Sequence, residues 1–209
     1  MTRHDAAVVH GEAIPKARVD ALLRAVPPRD RETRPESLAR AERQRRRWAT
    51  QVVVTDELAR RACADRGLKP PSEVSPALAL SVAGTDVADL GSIVATALAH
   101  SPAARTLLAE LEREQPVPEE AAREYYTRNR DRFLTPDALR RGVEPFHGAA
   151  DTDFVPYERA RAGIVRDLRR AAGRRAFFDW LDQARVGVQY APGHEHPGDP
   201  SHPDHEHRH

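Results

Sequence analysis

The chain has 209 residues, 40% hydrophobic, 31% charged and only 5% aromatic, which suits one modest core and not a large enzyme-type sandwich or barrel. Its 33 basic and 32 acidic side chains nearly cancel, which argues against a strongly basic nucleic-acid binder. The single cysteine, Cys63, excludes an intramolecular disulfide framework and any multi-cysteine metal site, and no window holds the ~18 apolar residues of a membrane span.

In chain order, Val8-Val9-His10 reads as a short strand, followed by a tight turn at Gly11 and a helix starting near Pro15. That helix, 16–25, carries Val19, Leu22 and Leu23 on one side and stops before Pro27-Pro28. Residues 27–35 form a charged, proline-interrupted loop. A long helix over 35–66 follows, with Leu38, Ala41, Arg45, Trp48, Val52, Thr55, Ala59 and Ala62 at the three- and four-residue steps of one buried stripe. Its arginines Arg43, Arg45, Arg46 and Arg47 and its acids Asp56 and Glu57 read as solvated faces, and Cys63 as a small buried residue. Gly67 ends the helix.

Residues 68–81 are proline-rich and irregular. A small-residue helix runs through Leu90–Leu98 and closes at His100, read as a capping or surface histidine. Ser101-Pro102 opens a helix to Gln115, and Pro116-Val117-Pro118-Glu119-Glu120 opens the next, with acids in its first turn and Tyr125-Tyr126 within it. Residues 134–155 form a connector whose Asp151 and Asp153 solubilise a loop. The last helix, 156–185, lines one face with Tyr157, Ile164, Leu168, Ala171, Phe178 and Leu181, and residues 186–190 alternate like a strand. From Ala191 the tail has too little apolar material to order itself. The chain carries no Gly-x-Ser-x-Gly elbow, no glycine loop for phosphate and no His-Glu-x-x-His, so no catalytic set is expected.

Four features together carry a resemblance. They are the Gly11-Glu12-x-Ile14 turn, the Val52-Val53-Val54-Thr55-Asp56-Glu57-Leu58-Ala59 run, the Phe178-x-Trp180-Leu181 end of the last helix, and above all Tyr125-Tyr126-Thr127-Arg128-Asn129-Arg130-Asp131-Arg132-Phe133. Over residues 6–190 the chain resembles the chaperone module of SurA-family peptidyl-prolyl isomerases, and in part the chaperone arms of trigger factor. The resemblance implies a mainly α, SurA N-terminal-like helical domain, 6–190, closed by a two-stranded pairing of the N- and C-terminal segments. It also implies a parvulin isomerase domain after Phe133, where this chain has only the 134–155 connector. A folded domain needs ~50 residues or more, so isomerase activity is expected to be missing.

Six of the ten histidines fall at the C-terminus: His194, His196, His202, His205, His207 and His209. Interleaved with carboxylates and prolines on a disordered tail, 191–209, they offer imidazoles suited to divalent zinc or nickel. A solubilising tail that charges near pH ~6.5 is the competing reading. No cofactor is required by either.

The leading expectation is thus a cytoplasmic, non-catalytic chaperone binding unfolded or partner protein segments, with no nucleic acid and no membrane. Its client groove would be lined by Trp48, Leu98, Tyr125, Tyr126 and Phe146. The alternatives are a metal-handling accessory protein that docks on a target enzyme, and an accessory protein of a biosynthetic pathway.

Overall fold

A computed structural model describes residues 2–26, 35–73 and 82–196. These residues form seven α-helices and three short strands: β1 (Asp5–Val9), β2 (Glu12–Pro15), α1 (Lys16–Ala25), α2 (Pro35–Asp65), α3 (Gly84–His100), α4 (Pro102–Glu114), α5 (Glu119–Arg128), α6 (Pro136–Arg140), α7 (Tyr157–Arg185) and β3 (Gln189–Tyr190). The mainly helical expectation is met. No helix among the described residues is long and apolar enough to cross a membrane.

The sheet has three strands, not two. His10 and Gly11 both take positive φ, 48° and 84°, and this two-residue turn returns the chain along β1. Val8 then pairs with Ala13 and Val9 with Glu12. Two positive φ values match the twist of an antiparallel hairpin, so Glu12–Pro15 becomes an edge strand before α1 begins. On the other edge of β1, Ala7 pairs with Tyr190 and Val8 with Gln189, giving the antiparallel order β2-β1-β3. The expected pairing of the two ends of the chain is therefore present, with an extra hairpin strand beside it.

The chain divides into two compact units, one formed by Met1–Leu107 with Asp179–His209 and the other by Leu108–Phe178. In the first unit, α1, β1 and α3 all pack on α2. Every residue from Ala49 to Asp56, with Leu58 and Ala59, is consequently buried. The single stripe read from the sequence becomes burial all round the helix, because three elements cover it. Two expected solvated faces are corrected by the same geometry. Asp56 is 0% exposed and Arg47 only 4%. Arg45 donates to the Leu23 and Val26 carbonyls, which satisfies acceptors at the end of α1. α3 is kinked at Gly91, whose φ of 74° and ψ of 154° suit glycine and little else.

In the second unit, Ala122, Tyr126 and Ile164 form a core cluster, packed by Tyr125, Phe133, Tyr157, Ala160, Val165 and Leu168. The connector 134–155 is a folded excursion. Its two ends bridge at Leu134 and Phe154, the Val155 amide donates to the Phe133 carbonyl at 2.7 Å, and the Thr135 amide to the Asp153 carbonyl at 2.8 Å. Thr135 caps α6 by accepting from the Ala138 amide. Asp153 is buried, contrary to the loop-solubilising role expected of it. Its carboxylate accepts from the Ala150 amide at 2.9 Å and from Arg141. Asp151 is exposed, as expected, and faces Arg130 at 3.5 Å.

The order expected to end at Tyr190 continues to His196. The Ala191 amide donates to the Ala6 carbonyl at 2.9 Å, and Ala191 and His194 are both buried. Long-range partners fix this segment where its own composition would not.

Candidate functional site

In the first unit, polar groups line the interior around α2. Asp56 accepts from Arg18 of α1 at 2.8 Å and from Arg60 at 2.9 Å. Glu57 accepts from Arg18 at 2.8 Å and from Arg61, which also reaches Glu12 of β2. His100 is buried, not a surface cap. Burial holds its imidazole below the usual histidine range against the pull of Asp56, while Arg18, Arg60 and Arg105 push the same way as burial. These groups tie α1, β2 and α2 together, which is structural work. Cys63 is buried as expected, its Sγ directed at the Ala103 carbonyl at 3.5 Å, and burial raises its thiol away from the reactive thiolate. Trp48 and Leu98 are half-buried on α2 and α3.

His194, expected as a tail ligand for metal, sits inside this unit. It is 4% exposed, and its Nδ1 lies 2.8 Å from Thr50 Oγ1. The Thr50 hydroxyl already donates to the Arg46 carbonyl, which leaves its oxygen to accept from His194 Nδ1–H. His196 is half-buried. His202, His205, His207 and His209 lie outside the described residues. Among the described residues no group of three or more His, Cys, Asp or Glu side chains is placed to hold a metal ion.

The second unit separates the two neighbouring tyrosines. Tyr126 is a core residue, not a groove residue: its hydroxyl donates to the Val155 carbonyl at 2.7 Å, and its ring packs on Phe133 at 4.8 Å and Tyr157 at 5.6 Å. Successive helical positions diverge by 100°, so Tyr125 faces elsewhere. It stays half-buried, edge-on to Phe133 at 6.4 Å, with the Arg132 guanidinium 5.8 Å from its ring and bonded to its hydroxyl.

Tyr125, Arg132 and Asp167 line two adjoining clefts between α5 and α7, of 190 Å³ and 310 Å³. The first is completed by Phe133, Ala160, Gly163 and Ile164, the second by Leu168, Arg170, Ala171 and Arg174. Sequence reasoning placed Leu168 and Ala171 on a core face. Here Leu168 is half-buried and Ala171 exposed, because α5 covers only part of the stripe. Their three-residue spacing beside Arg170 and Arg174 was the signal that could have marked this cleft. Phe146 stands apart on the connector, 57% exposed and outside both linings. A third, polar cleft is lined by Thr135, Asp137, Arg140, Arg141, Thr152 and Asp153, and its charges are already matched as Arg140–Asp137 and Arg141–Asp153 pairs.

Beside this face, Glu119 accepts from Tyr157 and from Arg161, each at 2.8 Å. The Arg161 bond, then that of Tyr157, holds Glu119 below the usual carboxylate range. The Tyr125 cleft thus sets the apolar side chains Phe133, Ile164 and Leu168 beside Arg132, Arg170 and Arg174. Comparison with family models, with curated proteins and with solved structures finds no match.

Proposed function

We propose that this chain is a non-catalytic, SurA- and trigger-factor-like chaperone module that binds unfolded or partner protein segments. The observation that carries the reading is the Tyr125 cleft. A tyrosine, Phe133 and Leu168 are left partly open on a helical face whose neighbours Ala122, Tyr126 and Ile164 are fully packed. Apolar side chains kept accessible beside a rigid core suit transient capture of extended segments. The antiparallel pairing of β1 with β3, which brings the two ends of the chain together, agrees with the closure that the resemblance implies. So does the short connector between Phe133 and α7, too small to house an isomerase domain. The exposed Phe146 on that connector is a second contact point for a client.

The test is suppression of client aggregation. Full-length protein added at equal molar ratio to a chemically unfolded model client should delay light scattering, and replacing Tyr125 by Ser should weaken the effect severalfold. Unchanged scattering at any ratio would overturn the proposal.

A further inference from the structure

The cleft has a charge pattern as well as an apolar floor. Between Arg159 and Arg175, α7 carries seven arginines against one carboxylate, Asp167. Arg170 and Arg174, four residues apart and so on one helix face, both line the larger cleft, with Arg132 on the opposite wall. Like charges at that spacing repel. Arg170 and Arg174 make no ion pair among the described residues, as is also true of Arg159, Arg169 and Arg175 on the same helix, while Arg161 and Arg123 are matched by Glu119 and Arg128 by Glu124. Arg132 is held over Tyr125, which sets one cation beside the apolar floor. The cleft therefore holds surplus positive charge next to Tyr125, Leu168 and Ala171.

We infer that the cleft selects acidic client segments: extended peptide in which aromatic or aliphatic side chains, seated against Tyr125 and Leu168, alternate with carboxylates that meet Arg170, Arg174 and Arg132. This rests on the reading of the cleft as a peptide site, and it adds the class of peptide. A nucleic-acid strand fits less well. Asp167 lines both clefts and opposes an unbroken run of phosphates, and the chain as a whole has a net charge of only +1.

The experiment uses the full chain and fluorescently labelled peptides of equal length. One alternates Phe and Leu with Glu, one has Gln in place of Glu, and one has Lys. Anisotropy titrations at low salt should give affinity for the Glu peptide about tenfold above the Gln peptide, shrinking as salt is raised, with the Lys peptide weakest. The double variant Arg170→Glu, Arg174→Glu, checked for folding by circular dichroism, should erase the preference for the Glu peptide over the Gln peptide. Equal affinity for Glu and Gln peptides would overturn the acidic preference while leaving peptide binding intact. Absence of binding to all three would overturn both. Tighter binding of a single-stranded oligonucleotide than of the Glu peptide would also overturn it.

Discussion

His194 shows how one residue changes meaning once it finds a partner. Its imidazole faces Lys16 and Asp20 of α1, Arg46 of α2 and Glu195 of its own segment, and burial, with Lys16 and Arg46, holds it below the ordinary histidine value. The unfolded chain protonates near pH ~6.5 and the folded one only lower. Stability from this contact is therefore complete above pH ~6.5 and is lost as pH falls below it. The amides of Ala191 and His194, bonded to the Ala6 and Ala191 carbonyls, should exchange faster at mildly acidic pH after correction for intrinsic rates. Replacing His194 by Gln should abolish that local response. Asp56 makes the complementary case. It is fully buried, while its partners Arg18 and Arg60 keep about a third of their side chains in solvent, and Asp56→Ala should cost about 1–3 kcal/mol in urea unfolding by removing two charge-assisted hydrogen bonds. Glu12→Ala, which removes the exposed end of the Arg61 pair, should cost under about 1 kcal/mol. Neither burial was legible in the sequence. Asp56 and Arg18 are 38 residues apart, and His194 and Thr50 are 144 apart. A carboxylate on a polar helix turn and a histidine in a proline-rich tail give no local sign of such partners.

At the scale of elements, the sequence was most informative where period alone decides. α1, α4 and α5 begin at the expected prolines and acids, and α2 and α7 span nearly the expected residues. β2 went unread because its turn is His-Gly rather than the usual Asn-Gly or Asp-Gly, so Ile14-Pro15 looked like a helix entry. Close helix approach is another property that a periodic pattern hides. A Cβ at Gly173 of α7 would lie 2.7 Å from the Glu112 Cα of α4. Gly173→Ala should therefore destabilise the protein by roughly 1–3 kcal/mol, although alanine is the better helix former by about 1 kcal/mol. Gly187, with nothing within 4 Å, is the control, and Gly187→Ala should stay within about 0.5 kcal/mol of wild type in the same thermal melts.

At the scale of the molecule, the chain assigns separate tasks to its two units. The first joins the ends of the chain through β1 and β3 and pairs Arg18 with Asp56 and Glu57 against α2. The second keeps a compact aromatic core and leaves Tyr125, Leu168 and Ala171 accessible at its surface. Of the five side chains expected to form one groove, Tyr125 lines the cleft, Tyr126 supports it from the core, and Phe146 is exposed on the connector. Trp48 and Leu98 belong to the first unit. Aromatic character was readable in the sequence, but which neighbour of a tyrosine pair turns inward depends on where α7 lies. The central claim is that this cleft receives client chain, and site-specific photocrosslinking tests it most directly. A photoreactive phenylalanine analogue placed at Ala171 should capture an unfolded client and not the same client in its native state. The same analogue at Val186, a large apolar side chain 86% exposed in the first unit, should capture neither. Equal capture from both positions, or none from Ala171, would contradict the account.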